Sequence, residues 1–171
     1  MNSAMTISYR LQTERLIIDA LCAQNLEEVL SNYKYDSKYI QEVYKQHMMP
    51  DRIGYGTWLL KLEDTFIGEI SLSGPPNWHH EIEIGYHIRC NYRRNGYAYE
   101  AISCLIARLT KHHDKLTIKA SALIDNTISQ RLLESLEFIC TSIDDSYYYY
   151  EYEINGVMAC VYESLVPVLV V

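Results

Sequence analysis

The sequence lacks an apolar run long enough to cross a membrane. Its longest run, from Leu165 to Val171, contains a proline, whereas a membrane-spanning helix requires about 20 apolar residues. The segment from Met1 to Arg10 also lacks a basic stretch followed by an apolar one, the pattern that directs a chain to secretion. We therefore expect a cytoplasmic protein without a membrane partner.

Cysteine is too sparse for a disulfide framework or a metal site. The five cysteines are odd in number, and no two of them form a Cys-x-x-Cys motif. We expect reduced thiols that mostly fill the core, and no metal centre. The residues concerned are Cys22, Cys90, Cys104, Cys140 and Cys160.

Positive charge is in deficit. The 171 residues include 15 Lys and Arg against 22 Asp and Glu, which gives a formal net charge of −7. Affinity for nucleic acid depends on clustered Lys and Arg, so a nucleic-acid partner is not expected. A chain of this length buries about 70% of the surface that its unfolded form exposes, so residues 1–171 are expected to form one domain.

The charge is also uneven along the chain. Between Tyr86 and Lys119 there are seven basic and two acidic residues, whereas five acidic residues and no Lys or Arg follow Thr141. This asymmetry predicts one surface for an anion and another for a cation. Ordinary solvated charge is the alternative interpretation.

Hydrophobic periodicity predicts alternating strands and helices. The segment from Glu81 to Ile88 alternates with a period of two, which places Glu81 and Glu83 on the face opposite the isoleucines. Apolar residues from Ala98 to Leu109 recur with helical spacing. The order is typical of a single α/β (α+β) domain around one central mixed sheet flanked by helices. The predicted seven strands are residues 16–20, 57–62, 66–72, 81–88, 116–122, 147–154 and 157–163, with helices at 25–44, after residue 96 and after residue 126.

The most informative segment is Arg93 to Ala98, which lies between a predicted strand and a predicted helix. Backbone N–H groups at such a turn, together with the positive end of the helix dipole, can bind phosphate oxygens. Gly96 and Ala98 would let the backbone approach a ligand closely, and two arginines add charge. The expected ligand is a diphosphate, and the alternative is an ordinary helix N-terminus. The chain has no Gly-Lys dipeptide, GxSxG or HExxH motif.

Five segments in order resemble the GCN5-related N-acetyltransferase (GNAT) superfamily, in particular the group that acetylates the N-termini of ribosomal proteins. Arg93 to Ala98 is similar to the acetyl-CoA signature Q/R-x-x-G-x-G/A of this family. The resemblance covers roughly residues 13 to 163. The other four segments are residues 13–18 (TERLII), 66–70 (FIGEI), 83–88 (EIGYHI) and 126–138, where Asn126 and Ser129 open a helix.

This resemblance implies a mostly antiparallel sheet whose fourth and fifth strands, here 81–88 and 116–122, splay apart around acetyl-CoA. The pantetheine arm would pair with the backbone from Ile88 to Cys90, and the diphosphate would lie on the loop that follows. Asn126 and Ser129 would approach the pantetheine and its sulfur. The implied donor-binding residues are Ile88, Cys90, Arg93, Arg94, Asn95, Gly96, Tyr97, Ala98, Asn126 and Ser129.

The resemblance also implies an acetyl transfer to a primary amine within a ternary complex. An alkyl ammonium has a pKa of about 10, so a base must remove a proton before attack. Glu83 matches the strand-four glutamate that serves as base in several relatives, and repulsion from Glu81 would raise one of the two pKa values. Many relatives protonate the leaving thiolate with a helix tyrosine, but this chain has Leu133 there. Ser129 is the expected proton or hydrogen-bond donor in its place, and a tyrosine among residues 147–152 is the alternative.

The sequence leaves the acceptor open among a peptide N-terminus, a polyamine and another small amine. Tyr147, Tyr149, Glu151 and Glu153 share one face of their strand, which could line an entrance for a cation. The apolar tail 166–171 suggests a possible homodimer. The alternative function is a non-catalytic acyl-CoA-binding sensor or assembly module on the same fold.

Overall fold

The computed structural model describes residues 10–22, 25–26, 42 and 52–156. Eight strands and two α-helices lie within these ranges. In chain order they are β1 (Arg10–Gln12), β2 (Leu16–Ala20), β3 (Thr57–Leu62), β4 (Thr65–Leu72), β5 (Glu81–Ile88), α1 (Tyr97–His112), β6 (Lys115–Leu123), α2 (Thr127–Ser135), β7 (Ile139–Ile143) and β8 (Tyr147–Asn155).

The strands form one open sheet in the order β1-β2-β3-β4-β5-β6-β8-β7. All neighbours are antiparallel except β5 and β6, which are parallel. The predicted α/β domain with a mixed, mostly antiparallel sheet is therefore confirmed. Among the described residues, no helix is both long and apolar enough to cross a membrane.

The predicted count of seven strands is wrong, because the described residues alone contain eight. Pattern analysis missed β1, which has only three residues, and β7, whose five residues are all exposed and show no alternation. The predicted strand at 157–163, the apolar tail 166–171 and nearly all of the predicted helix at 25–44 lie outside the described residues.

Both helices pack on one face of the sheet, which we call the inner face. The helical spacing predicted for α1 is confirmed, since Ala101, Ile102 and Leu105 are fully buried against β5 and its neighbours. Leu133 of α2 is also fully buried. The opposite side of β5 and β6, which carries Glu81, Glu83 and Lys119, is here called the outer face.

The sheet opens between β5 and β6. The two strands pair only where residues 81–83 face residues 117–119, so the last five residues of β5 have no partner on β6. This geometry confirms the predicted splay. The resulting opening connects the inner face with the outer face.

The cysteines are only partly as expected. The four described cysteines, Cys22, Cys90, Cys104 and Cys140, are free thiols. Cys104 is buried, but Cys90 and Cys140 are exposed, so the expectation that cysteines mostly fill the core is wrong for these two.

Candidate active site

A turn rich in backbone N–H groups connects β5 to α1. After Ile88 the chain forms a 3-10 turn at Cys90–Tyr92, and left-handed residues at Arg94 (φ 63°) and Gly96 (φ 80°) then lead into the helix. Within the described ranges, the backbone N–H groups of residues 94–99 donate no hydrogen bond to another residue. The N-terminus of a 16-residue helix thus offers donors and a positive dipole end to an anion.

Gly96 is required by the shape of this turn. A side chain at φ 80° is strained, and a Cβ atom there would lie 3.4 Å from Nη2 of Arg15. The glycine therefore allows Arg15 to pack beneath the loop.

Arg15 is a site residue that sequence analysis did not identify. Its Nη2 forms an ion pair of 2.6 Å with Glu100 in the first turn of α1, and its Nη1 donates to the carbonyl oxygen of Asn95 at 2.9 Å. Its guanidinium carbon lies 4.6 Å from the ring centre of Tyr97. Burial opposes ionisation of Glu100, but hydrogen bonds from Thr13 and Arg15 outweigh it and lower the pKa of that carboxyl.

The two loop arginines differ in role. Arg93 turns back toward β5, where its Nε donates to the carbonyl oxygen of Ile88 at 2.7 Å and its Nη2 lies 3.2 Å from Nε2 of His87. Arg94 is exposed on the loop. Both arginines are exposed, but Arg93 is held against the end of β5 by these contacts.

The basic residues between 86 and 119 do not form one surface. Arg108 is only 8% exposed and lies over the ring of Trp58 at 5.1 Å. Lys119 lies on the outer face, where it pairs with Glu81. Arg108 and Lys119 therefore do not join the loop arginines in one basic surface.

Asn126 and Ser129 meet at the N-terminus of α2, beside the opening. Oδ1 of Asn126 accepts from the backbone N–H of Ser129, and its Nδ2 donates to Oγ of Ser129, each at 3.1 Å. Asn126 is therefore the helix cap. Ile128 of this helix is 64% exposed.

Tyr86 bridges the opening from the other side and was also missed. Its hydroxyl donates to the carbonyl oxygen of Ser129 at 3.5 Å, which links β5 to α2. The side chain is half-buried, and burial raises the pKa of its phenol. The alternation of β5 assigns Tyr86 to the inner face, but the sequence contains no sign of a contact with a residue so far along the chain.

Glu83 lies at the last β5–β6 pair, on the outer face opposite Lys119. Its backbone is fixed by two 3.0 Å hydrogen bonds with Ser73, and its side chain is exposed. Glu81 instead forms an ion pair of 2.7 Å with Lys119. Hydrogen bonds from Lys119 and Asn77 lower the pKa of Glu81, so the expectation of a raised value is wrong for this residue.

A third carboxyl, that of Glu69, lies further along the outer face. Glu69 of β4 is the cross-strand neighbour of His87 on β5. Burial raises the pKa of Glu69. Burial also lowers the pKa of His87, with further contributions from Arg93 and Arg89. The sequence predicted a strand here but no titratable pair, because the pairing register joins residues 18 positions apart.

The tyrosine-rich strand splits by parity as predicted. Tyr150 and Tyr152 are buried on the inner face, whereas Tyr147 and Tyr149 are exposed on the other. Hydrogen bonding to Asp144 raises the pKa of Tyr149.

The structure thus gathers the predicted residues into two groups. Arg93 to Ala98 form one loop, and Asn126 and Ser129 join Tyr86 on the inner side of the opening. Glu83 lies three positions before Tyr86, about 10 Å along the strand, with its side chain on the outer face. The loop is one group, and Asn126, Ser129 and Tyr86 form the other. The opening lies between the two groups.

A family model described as an acetyltransferase (GNAT) domain matches residues 15–139. The chain is also similar to "Uncharacterized N-acetyltransferase YjdG" of Bacillus subtilis (strain 168), with 31% identity over 101 residues. That match spans 58% of this chain and 60% of the relative, which is less than two thirds of the relative's length.

Solved structures share the fold at low sequence identity. RimL, a ribosomal L7/L12 alpha-N-protein acetyltransferase in complex with coenzyme A, has a TM-score of 0.72 at 11% identity, over 86% of this chain and 99% of that chain. A GNAT-family acetyltransferase from Bacillus anthracis has a TM-score of 0.66 at 20% identity, over 84% and 98%. Because the family model covers most of the residues that form the sheet and both helices, the chain belongs to the GNAT acetyltransferase family.

Proposed function

We propose that the protein transfers an acetyl group from acetyl-CoA to a primary amine, which attacks the thioester directly in a ternary complex. The observation that carries this proposal is the opening between β5 and β6, whose inner side ends at the loop of residues 94–99, where the backbone N–H groups donate to no described residue. A long thioester with a diphosphate at one end suits this arrangement.

The donor would bind along the inner side of the opening. The diphosphate would accept from the amides between Arg94 and Ala98, including Asn95, Gly96 and Tyr97. The pantetheine arm would pair with the backbone from Ile88 to Cys90, at the end of β5 that has no β6 neighbour, in exchange for the hydrogen bond of Arg93 to the carbonyl oxygen of Ile88. The residues Asn126 and Ser129 would then lie against the thioester end of the arm.

The acceptor would reach the thioester from the outer face. Glu83 is the proposed base, acting through water, because its side chain is exposed beside the apex of the opening. Glu81 is less suited, since Lys119 and Asn77 hold its carboxylate and lower its pKa. A backbone N–H near Ile88 would stabilise the oxyanion of the tetrahedral intermediate. The hydroxyl of Ser129 would contact the leaving sulfur.

A peptide N-terminus is the first acceptor to test, since RimL, which shares the fold, is named as an alpha-N-protein acetyltransferase. A polyamine and other small amines are the further candidates. The exposed Tyr147 and Tyr149, together with Glu151 and Glu153, would favour a cationic acceptor over a neutral one.

The test is release of free thiol from acetyl-CoA with peptides and amines as acceptors, with the acetylated product identified by mass spectrometry. Glu83→Gln is expected to lower kcat by about 100-fold at neutral pH, within the range typical of general bases. Ser129→Ala is expected to lower it by about tenfold, since it removes one hydrogen bond to the sulfur. Glu63→Gln, a matched change in the exposed turn between β3 and β4, is expected to leave the rate unchanged.

Saturable binding of coenzyme A without turnover on any acceptor would contradict the proposal. That result would favour the alternative of a non-catalytic acyl-CoA-binding module, for which the replacement of the family's helix tyrosine by Leu133 is the supporting observation.

A further inference from the structure

The α2 helix offers little acid chemistry to the opening. Leu133 is fully buried and carries no hydroxyl. Ser129 accepts on its Oγ from Nδ2 of Asn126 at 3.1 Å, which leaves its O–H able to donate, but an alkyl hydroxyl is a much weaker acid than a phenol. Tyr150 of β8 is fully buried, and its hydroxyl donates to the carboxylate of Glu134 at 3.4 Å. A thiolate leaving between β5 and α2 therefore needs a proton from another element.

Tyr86 of β5 has a hydroxyl that can donate this proton. It lies three residues beyond the last β5–β6 pair, so the opening begins before it on the strand. Its ring packs against the core, and its hydroxyl reaches the carbonyl oxygen of Ser129 at 3.5 Å. That carbonyl lies one helical turn before Leu133, so the phenol ends beside the position from which a helix tyrosine would act.

We propose that the hydroxyl of Tyr86 is the general acid that protonates the leaving sulfur of coenzyme A. This inference rests on the proposed function. When the tetrahedral intermediate collapses, the C–S bond breaks and its electron pair moves to sulfur. The Tyr86 O–H turns from the carbonyl oxygen of Ser129 to that sulfur and gives it the proton, which forms the free thiol, and water reprotonates the phenolate. Ser129 then orients the phenol through its carbonyl oxygen rather than donating the proton.

The state of the phenol fits this role. Burial raises the pKa of Tyr86, whereas its hydrogen bond to Ser129 acts in the other direction. The phenol therefore carries its proton throughout the neutral range and is ready to donate. No charged side chain in the described part of the chain forms an ion pair or a side-chain hydrogen bond with this hydroxyl.

The test compares Tyr86→Phe with the wild type in the acetyl-CoA assay. We expect kcat to fall by about 100-fold, while KM for acetyl-CoA and the Kd of coenzyme A change by less than about threefold, because the ring and its packing remain. Tyr55→Phe is the matched control, since Tyr55 is a half-buried tyrosine whose hydroxyl contacts His113 at 2.9 Å, away from the opening. It is expected to retain the wild-type rate.

A fluorinated tyrosine at position 86 separates acid catalysis from a structural role. Its phenol is more acidic, so activity should be retained and the decline of kcat at high pH should move to lower pH. An unchanged kcat in Tyr86→Phe, or a high-pH decline that fluorination does not move, would overturn the inference while wild-type turnover upheld the proposed function. No turnover by the wild type would instead overturn the proposed function itself.

Discussion

Glu69 shows how a half-buried carboxyl couples this fold to pH. Burial raises the pKa of Glu69 above its ordinary value of 4.5, so the folded state binds the proton at higher pH than the unfolded chain does. The free energy of unfolding therefore decreases as pH rises from that ordinary value through the folded-state pKa. Above both values, the ionised Glu69 is a net cost to the fold.

Removing this charge should stabilise the protein. Glu69→Gln is expected to raise Tm at pH 7. The difference from the wild type is expected to vanish below about pH 4, where wild-type Glu69 is protonated in both the folded and the unfolded state. Thermal unfolding across pH measures the effect. Glu63→Gln, at an exposed turn, is the control and should leave Tm unchanged. A Tm difference for Glu69→Gln that does not depend on pH would contradict this account.

Single residues also show where sequence analysis stops. The positions of Asn126 and Gly96 at the starts of two helices could be predicted locally, because a helix N-terminus depends on neighbours within a few positions. Arg15 and Tyr86 could not, since their partners lie 85 and 43 residues away. Long-range contacts of this kind depend on tertiary packing, which no local pattern encodes.

At the scale of elements, the first turn of α1 carries an acidic residue close to the amides where an anion is proposed to bind. Glu100 lies in its first turn, and the ion pair of 2.6 Å with Arg15 compensates its charge. Without Arg15, the carboxylate would repel a diphosphate on the neighbouring amides.

Arg15→Ala is therefore expected to raise KM for acetyl-CoA by about tenfold with little change in kcat. Adding Glu100→Gln to this variant should restore most of the loss, because it removes the uncompensated charge. Steady-state kinetics of the two single variants and the double variant measure the coupling. Additive effects of the two changes on KM would show that the pair does not act on the donor site.

Elements differ in how well their patterns identify them. Strand β5 and helix α1 were predicted because each buries one face, which produces a clear period of two or of 3.6. Strand β7 was missed because an exposed edge strand has no buried face to impose alternation, and its pairing with β8 also contains an irregularity.

At the scale of the whole molecule, the net charge of −7 does not show how hydrogen-bond donors and carboxyls are distributed over the two faces of the sheet. The sheet is divided by the opening between β5 and β6, with amide donors on the inner side and carboxyls such as Glu83 on the outer face. The predicted fold class and the splay follow from family resemblance and are confirmed. The surplus of basic residues does not form the one surface that the sequence predicted, because Arg108 is buried and Lys119 pairs with Glu81.

The central claim is that the inner side of this opening holds the acetyl donor. The most direct measurement is a crystal structure of the complex with coenzyme A. The account predicts diphosphate oxygens about 3 Å from amides of residues 94–99, and a sulfur atom within about 4 Å of the Tyr86 hydroxyl. Coenzyme A bound on another surface, or with its sulfur remote from both Tyr86 and Ser129, would contradict it.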